Sequence, residues 1–257
     1  MQLKPIFLFL LLLTICLTTP APGAGSEPVL RNEMPANLLS FQEMVARQAR
    51  EFPEFFFLSR PDLEQKLIAL SFDDGPDRKY TPAILDILEE KEVPATFFLL
   101  GEAVEANPDI VRRISDEGHL IGNHSWSHPD FRDLHFSEIK GAEIEPTGTA
   151  IAAITGEKPH LIRPPYGAIN DQDLQELGKQ GWKIINWSVD SFDWLEGSNS
   201  PEQIRERVLQ YVRPGDIILL HSAGGNRSTT VEALPGLIQD LQERGFDLIT
   251  IDQLLEY

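Results

Sequence analysis

The strongest constraint on the fold is an alternation of short apolar runs and helical segments from Lys66 to the C-terminus. Apolar runs bounded by turn residues predict buried strands. The predicted strands are Leu67–Phe72, Ala95–Leu100, Leu120–Asn123, Leu161–Arg163, Lys183–Ser188, Asp216–Leu220 and Asp247–Thr250. The predicted helices are Thr81–Lys91, Pro108–Glu117, Ser137–Thr155, Asp171–Gln180, Pro201–Tyr211 and Val231–Arg244. This order predicts an α/β fold with a parallel sheet, which is either an open doubly wound sheet or a barrel.

The first 24 residues have the pattern of a secretory signal peptide. Lys4 precedes the apolar run Ile6–Leu17, and the small residues of Pro20–Ala24 follow. A membrane-spanning helix needs about 20 apolar residues, so we predict a signal peptide over 1–24, with an uncleaved membrane anchor as the alternative. Both indicate a secreted or cell-envelope-associated protein. The single cysteine, Cys16, lies in this segment, so we expect no disulfide partner and only nitrogen and oxygen ligands for any metal.

Residues 25–63 are predicted to be a lead-in to a main domain over 64–257. Leu38–Phe52 has helical spacing, and Phe55–Leu58 is too apolar for a linker in solvent. We expect Phe55–Leu58 to pack on the main domain or to form an edge strand. The net charge of -18 argues against a nucleic-acid partner, because the phosphates would be repelled.

Polar side chains follow five of the predicted strands. They are Asp73 and Asp74, His124 and His128, Arg163, Asp190 and Asp193, and His221. In α/β barrels the carboxyl ends of the strands form the active face. We therefore expect these side chains to meet at one face of the sheet.

His124 and His128 are four residues apart, a spacing that allows both rings to face one point. Together with an aspartate at a strand end they would make two imidazoles and one carboxylate. Such a set leaves coordination positions for water, as in catalytic zinc sites. The alternative is a capped turn with two exposed histidines. A divalent metal in such a site makes water more acidic and polarises a carbonyl.

Amide hydrolysis also needs a base, an acid and hydrogen-bond donors for an oxyanion. Asp73 is a candidate base beside Asp74, and His221 is a candidate acid. Two prolines follow Arg163, so the N–H of Tyr166 is the first backbone donor after it, and Arg163 itself could hold a carboxylate. The segment Asp190–Trp194 offers carboxylates to orient a histidine and a flat ring for a sugar. A buried Arg–Asp pair and a core tryptophan are the alternatives.

Five motifs occur in a fixed order: Ser71–Pro76, His124–His128, Arg163–Gly167, Asp190–Trp194 and Leu219–His221. In this combination the chain resembles the polysaccharide deacetylase family, the NodB-homology type of carbohydrate esterase family 4. The likeness runs from about Leu67 to the C-terminus. It implies a distorted (β/α)7-type barrel with parallel strands. It also implies metal-dependent removal of acetyl groups from N-acetylglucosamine units.

The resemblance also implies a role for each matching residue. The metal ligands would be Asp74, His124 and His128, the base Asp73 and the acid His221. The supporting groups would be Arg163 on the base, Asp193 on the acid, the Tyr166 N–H for the oxyanion, and Trp194 and Leu219 around the acetyl group. Zinc is the favoured metal, with cobalt, nickel or iron as alternatives. Tyr166 separates the chain from relatives with arginine there, which act on muramic-acid lactam precursors.

The expected activity is release of acetate from an acetylated glucosamine polymer, with peptidoglycan favoured over chitin-type oligosaccharides. One alternative is a glycan-binding protein on the same scaffold without catalysis. The other is a metal-dependent amidohydrolase of a small molecule, because a fold does not determine a substrate. Three histidines outside the motifs, His119, His135 and His160, are expected at the surface or in loops.

Overall fold

The computed structural model describes residues 36–195 and 200–256. The predicted signal peptide over 1–24 and the first part of the lead-in lie outside the described residues. Within those two ranges, no helix combines the length and apolar character that crossing a membrane requires.

Nine strands are present among the described residues: β1 Phe56–Phe57, β2 Leu67–Gly75, β3 Thr96–Leu99, β4 Leu120–Asn123, β5 Leu161–Ile162, β6 Lys183–Ile185, β7 Val189–Asp190, β8 Ile217–His221 and β9 Asp247–Leu248. Their order across the sheet is β1-β6-β5-β4-β3-β2-β8-β7, and β9 pairs with the start of β2. Every pair of these strands is parallel. The sheet curls into a half-barrel with helices around it, which confirms the barrel-type prediction.

The helices are α1 Ala36–Glu51, α2 Tyr80–Glu90, α3 Gly101–Ala106, α4 Pro108–Asp116, α5 Phe136–Glu138, α6 Glu145–Thr155, α7 Asp171–Lys179, α8 Pro201–Tyr211, α9 Ser228–Glu243 and α10 Ile251–Glu256. The predicted single helix Ser137–Thr155 is wrong in one respect, because a π-helix over Ile139–Ile144 separates α5 from α6. There the N–H of Glu145 donates to the carbonyl of Lys140, five residues earlier. The next residue, Pro146, has no N–H and its ring crowds the carbonyl four residues before it, which disfavours regular α-helix here.

The lead-in is joined to the sheet. Phe56 in β1 pairs with Ile184 in β6, so the edge-strand alternative is correct. The side chain of Gln48 in α1 is fully buried and donates to the carbonyl of Ile169 at 2.9 Å. Val45 of the same helix packs with Phe56 and Ile184 in a common apolar cluster. Burial of large apolar side chains, worth about 1.5–3 kcal/mol each, attaches this segment to the sheet.

The register of β2 and β8 sets the position of the site. Asp73 pairs with His221, the last residue of β8. β2 continues to Gly75, past its predicted end at Phe72, because Asp73 still pairs with β8 and Gly75 pairs with Leu99 of β3. Its pairing with β3 shifts between Phe72 and Gly75, so the strand bulges where the two aspartates lie.

His135 and His160 are exposed, and His119 lies in the short loop between α4 and β4, so all three meet the expectation of a surface or loop position. His119 is buried, and its Nδ1 accepts the N–H of Ala95 at 3.1 Å. Its Nε2 therefore carries the hydrogen, 3.8 Å from Oε2 of Glu117. Burial lowers the pKa of His119 to about 4, and the charge of Arg113 acts in the same direction.

We predict that His119→Asn reduces the loss of stability at low pH. The pKa of His119 is about 4 in the folded chain and 6.5 in an ordinary environment. Below pH 6.5 the unfolded chain therefore binds the proton more tightly, and stability falls until about pH 4. Asparagine keeps an acceptor for Ala95 but does not titrate, so the loss between pH 7 and pH 4.5 should shrink by about 2 kcal/mol.

Urea unfolding of both proteins at the two pH values, with a chelator present throughout, measures this difference. The other histidines contribute equally to both proteins. Equal losses in wild type and variant would show that His119 stays charged or accessible in the folded state.

Candidate functional site

Left-handed backbone conformations concentrate in the loops at the carboxyl ends of the strands. Six non-glycine residues in the described ranges have positive φ, and five of them lie in the predicted motifs: Asp74, Ser125, His128, Tyr166 and Phe192. Such conformations cost free energy, on the order of 1 kcal/mol or more each, and persist only where surrounding contacts enforce them. Their clustering marks this face as the candidate site.

Asp74, His124 and His128 converge, each presenting one atom that could bind a metal, and these atoms lie within 4.8 Å of one another. Oδ1 of Asp74 is 3.5 Å from Nε2 of His124 and 3.4 Å from Nε2 of His128. This oxygen is buried and has no hydrogen-bond partner. A buried acceptor without a donor is costly, and a divalent cation with nitrogen and oxygen ligands would satisfy it. The residues present therefore fit a metal.

The two histidine rings are held with Nε2 toward Asp74. Nδ1 of His124 lies 2.7 Å from the carbonyl oxygen of Arg163, which can only accept, so Nδ1 carries the hydrogen. This contact leaves the lone pair of Nε2 for a metal, as in many metal-binding histidines. His128 packs edge-on against His124 and against Tyr166, with ring centroids 5.1 and 4.7 Å apart. Burial, followed by the nearby His124, lowers the pKa of His128 and favours the neutral form that binds metals.

The carboxyl group of Asp74 is ionised at neutral pH. Burial opposes its ionisation, but the imidazoles of His124, His221 and His128 outweigh burial and lower the pKa to about 2. An ionised carboxylate is the form that ligates divalent metals.

Arg163 is fully buried and forms an ion pair with Asp73. Its Nη1 donates to Oδ1 of Asp73 at 2.7 Å and to Oγ of Ser71 at 3.0 Å. Nε and Nη2 donate to the carbonyls of Ile185 and Asn186. Each nitrogen of the guanidinium therefore donates a hydrogen bond, and the group fixes one oxygen of Asp73.

Asp193 forms a hydrogen-bonded pair with His221. Its Oδ1 lies 2.7 Å from Nδ1 of His221, and its Oδ2 accepts the N–H of His221 at 2.9 Å and the hydroxyl of Thr230 at 2.8 Å. Burial alone would lower the pKa of His221, but the charge and hydrogen bond of Asp193 raise it to about 9. His221 is therefore protonated at neutral pH.

Asp190 has different contacts. Its Oδ1 accepts the N–H of Phe192 at 2.8 Å and the indole N–H of Trp194 at 3.3 Å. Burial raises the pKa of Asp190 to about 6. Among the two carboxylates of this motif, Asp193 is the one paired with His221, as the resemblance implies.

Three further site residues lie around these groups. Leu219 is buried and, two residues before His221 on β8, shares its face of the strand. Tyr166 and Trp194 are 58% and 38% exposed, which is unusual for large apolar residues in the described part of the chain. The φ of Tyr166 is 58°, so the backbone turns sharply directly after the two prolines.

Sequence reasoning missed three supporting residues: Ser71, Glu143 and Thr230. Ser71 is two residues before Asp73 on β2, and the two-residue period of a strand could have identified it. Thr230 reaches Asp193 from α9, and Glu143 reaches the loop of His124 and His128 from the π-helix. Glu143 lies within the predicted helix Ser137–Thr155, Thr230 directly precedes the predicted helix Val231–Arg244, and the sequence carries no signal of these contacts.

Comparison with known proteins agrees with the motifs. Residues 60–185 match the family model described as polysaccharide deacetylase. A peptidoglycan-N-acetylglucosamine deacetylase of Bacillus cereus is 42% identical over 190 residues, which cover 74% of this chain and 68% of that protein. The peptidoglycan-N-acetylmuramic acid deacetylase PdaA of Bacillus subtilis is 34% identical, with 75% and 72% covered.

Solved structures show the same architecture. The Bc1960 peptidoglycan N-acetylglucosamine deacetylase superposes with a TM-score of 0.76 at 39% identity, covering 80% of this chain and 95% of that one. BA3943 of Bacillus anthracis, a CE4 family pseudoenzyme, superposes with a TM-score of 0.71 at 32% identity, covering 78% and 68%. With this identity over most of each chain, the protein belongs to the polysaccharide deacetylase family.

Proposed function

We propose that this protein hydrolyses the N-acetyl group of N-acetylglucosamine residues in a cell-wall polysaccharide, with the aid of a divalent metal, and releases acetate. The observation that carries the proposal is the unpartnered Oδ1 of Asp74 facing two imidazoles, next to the cross-strand pair of Asp73 and His221. Relatives that act on peptidoglycan favour it over chitin-type oligosaccharides as the polymer.

Asp74, His124 and His128 would hold the metal. The metal would polarise the acetyl carbonyl and make a water molecule more acidic. Zinc is favoured for two imidazoles and a carboxylate, and the same ligands accept cobalt, nickel or iron.

Asp73 is proposed as the base. Arg163 holds its Oδ1, so the proton would go to Oδ2, which lies 3.7 Å from Nε2 of His124 and thus faces the metal ligands. Because Arg163 already holds one oxygen of Asp73, little conformational entropy is lost when the carboxylate takes the proton. The buried guanidinium also pairs with this carboxylate, so neither group is buried without a partner.

His221 is proposed as the acid. Asp193 binds its Nδ1, so the proton on Nε2 is the one that can be donated to the departing amine. The raised pKa, about 9, keeps this proton in place at neutral pH. The Tyr166 N–H would donate to the developing oxyanion. Leu219 and Trp194 would line the space for the acetyl group, and the exposed ring of Trp194 suits the face of a sugar.

The polysaccharide could be deacetylated at either of two sugars, N-acetylglucosamine or N-acetylmuramic acid. N-acetylglucosamine is favoured over N-acetylmuramic acid because of Tyr166, although two relatives are named for the muramic residue. We also propose that residues 1–24 are a signal peptide, that 64–257 form the deacetylase domain, and that the protein acts outside the cell or in the envelope. The pseudoenzyme among the similar structures keeps a glycan-binding protein as the second candidate function.

The direct test is acetate release from N-acetylated peptidoglycan and from chitooligosaccharides by the zinc-loaded protein. We expect release from peptidoglycan, loss after treatment with a chelator, and recovery after zinc is added back. Binding to glycans without release of acetate from any of them would favour the pseudoenzyme alternative. Release from small acetylated amides alone would favour the small-molecule amidohydrolase.

We predict that His128→Ala abolishes retention of zinc, because two ligands without the second imidazole cannot hold the metal. The far-ultraviolet circular dichroism should not change, since His128 lies in a loop. Metal content after gel filtration is the measurement. The matched control is His135→Ala, which removes an exposed histidine outside the site and should keep full metal content. Full metal content in His128→Ala would refute the ligand assignment.

We predict that Asp193→Asn shifts the alkaline limb of kcat/KM to lower pH by at least about one unit. Asp193 raises the pKa of His221 to about 9, and without its charge burial dominates and the pKa falls. His221 acts as a protonated acid, so the limb follows its deprotonation. Asp171→Asn, on α7, should leave the limb in place. An unchanged limb in Asp193→Asn would mean that His221 does not set it.

A further inference from the structure

The loop that carries two proposed metal ligands is held by one carboxylate, that of Glu143. Oε2 of Glu143 accepts the N–H of Trp126 at 2.8 Å and the N–H of Ser127 at 2.9 Å. Oε1 accepts the hydroxyl of Ser127 at 3.0 Å. The two backbone donors lie between His124 and His128, so Glu143 binds the middle of the loop.

Glu143 is itself buried, with 7% of its surface exposed. Among the described residues no lysine or arginine forms an ion pair with it, and its carboxylate is satisfied by donors of this loop. A buried carboxylate is costly unless hydrogen bonds compensate it. An apolar side chain at position 143 would avoid that cost. The hydrogen bonds to the loop therefore explain why a glutamate is buried there.

The π-helix brings Glu143 to this position. Glu143 is the fifth residue of Ile139–Ile144, where the backbone is wider than an α-helix. The carbonyl of Ile144, next to it, accepts the side-chain amide of Asn123 at 2.9 Å. The π-helix thus contacts both the start of the loop, through Asn123, and its middle, through Glu143. Single π turns of this kind occur often at functional sites.

The loop has an enforced shape. Oδ1 of Asn123 accepts the N–H of Ser125, and Oγ of Ser125 accepts the N–H of His128 at 3.0 Å. Ser125 and His128 both have left-handed backbones, with φ of 79° and 66°. Such a loop relaxes to more favourable angles when its anchors are removed, and relaxation would move His128 relative to His124.

We propose that Glu143 is a positioning residue for the metal centre, which holds the His124–His128 loop in its strained shape so that both imidazoles face Asp74. The inference rests on the proposed metal site, and it adds a residue that touches neither metal nor substrate. Groups that orient metal ligands typically change metal affinity 10–100-fold when removed.

Two variants at this position separate hydrogen bonding from charge. Glu143→Leu removes all three acceptor contacts. Glu143→Gln removes the charge but keeps the contacts, because its oxygen can accept both backbone N–H groups and its amide can donate to the hydroxyl of Ser127, which then accepts. The matched control is Ile151→Ala, which creates a cavity in the buried core on the following helix, α6, away from the loop.

The measurements are the zinc dissociation constant by chelator competition, the visible spectrum of the cobalt-loaded protein, and urea unfolding of the metal-free protein. We expect Glu143→Leu to raise the dissociation constant at least about 10-fold and to alter the cobalt spectrum. Glu143→Gln should stay within about threefold of wild type. Ile151→Ala should lower the stability of the metal-free protein but leave the dissociation constant and the spectrum unchanged.

A wild-type dissociation constant and cobalt spectrum in Glu143→Leu would overturn the inference, and so would Glu143→Gln matching Glu143→Leu. A wild-type protein that binds no zinc would instead refute the proposed metal site. If Glu143→Leu does not fold, Glu143→Asp replaces it. Aspartate keeps the charge but withdraws the acceptor by one methylene, and it should weaken zinc binding while the core control does not.

Discussion

The buried guanidinium of Arg163 is the interaction on which the site depends. Its donors reach Asp73 and Ser71 on β2 and the carbonyls of Ile185 and Asn186 at the end of β6. Its own carbonyl accepts Nδ1–H of His124, at the end of β4. Arg163 therefore links the ends of three strands, and it orients both the candidate base, Asp73, and one candidate metal ligand, His124. A fully buried guanidinium is tolerated only when it has an anionic partner and acceptors for its N–H groups, as Arg163 has here.

The other groups of the site are also held by hydrogen bonds from neighbouring side-chain and backbone groups. Thr230 and the N–H of His221 bind Oδ2 of Asp193, and Glu143 binds the loop between His124 and His128. These contacts hold loops whose left-handed residues would relax without them. The support comes from α9 and from the π-helix, so the helical layer around the half-barrel does more than cover the sheet. It determines where the side chains at the strand ends point.

Much of the fold follows from the local pattern of the sequence, and each departure from the sequence-based predictions has a local cause. Apolar runs located the seven predicted strands, because buried parallel strands are apolar on both faces. The end of β2 was placed too early, since Asp73 is polar and yet pairs with His221 of β8, and Gly75 pairs with Leu99 of β3. The helix over Ser137–Thr155 was predicted as regular, although Pro146 follows a π-helix. His119 was expected at the surface or in a loop, and its burial in that loop was not anticipated, because a histidine alone does not reveal that a backbone N–H will reach it.

The sequence by itself determined the fold class, the family and the set of polar residues that meet at one face. The physical reason is that parallel strands bring their carboxyl ends to one edge, so the order of motifs implies their proximity. The resemblance favoured Asp193 as the partner of His221, and the structure has that hydrogen bond. Only the tertiary structure decided that Oδ1 of Asp74 lacks a partner and that Glu143 binds the loop between His124 and His128. These contacts join residues distant in the chain, and they depend on angstrom-scale placement that no local pattern encodes.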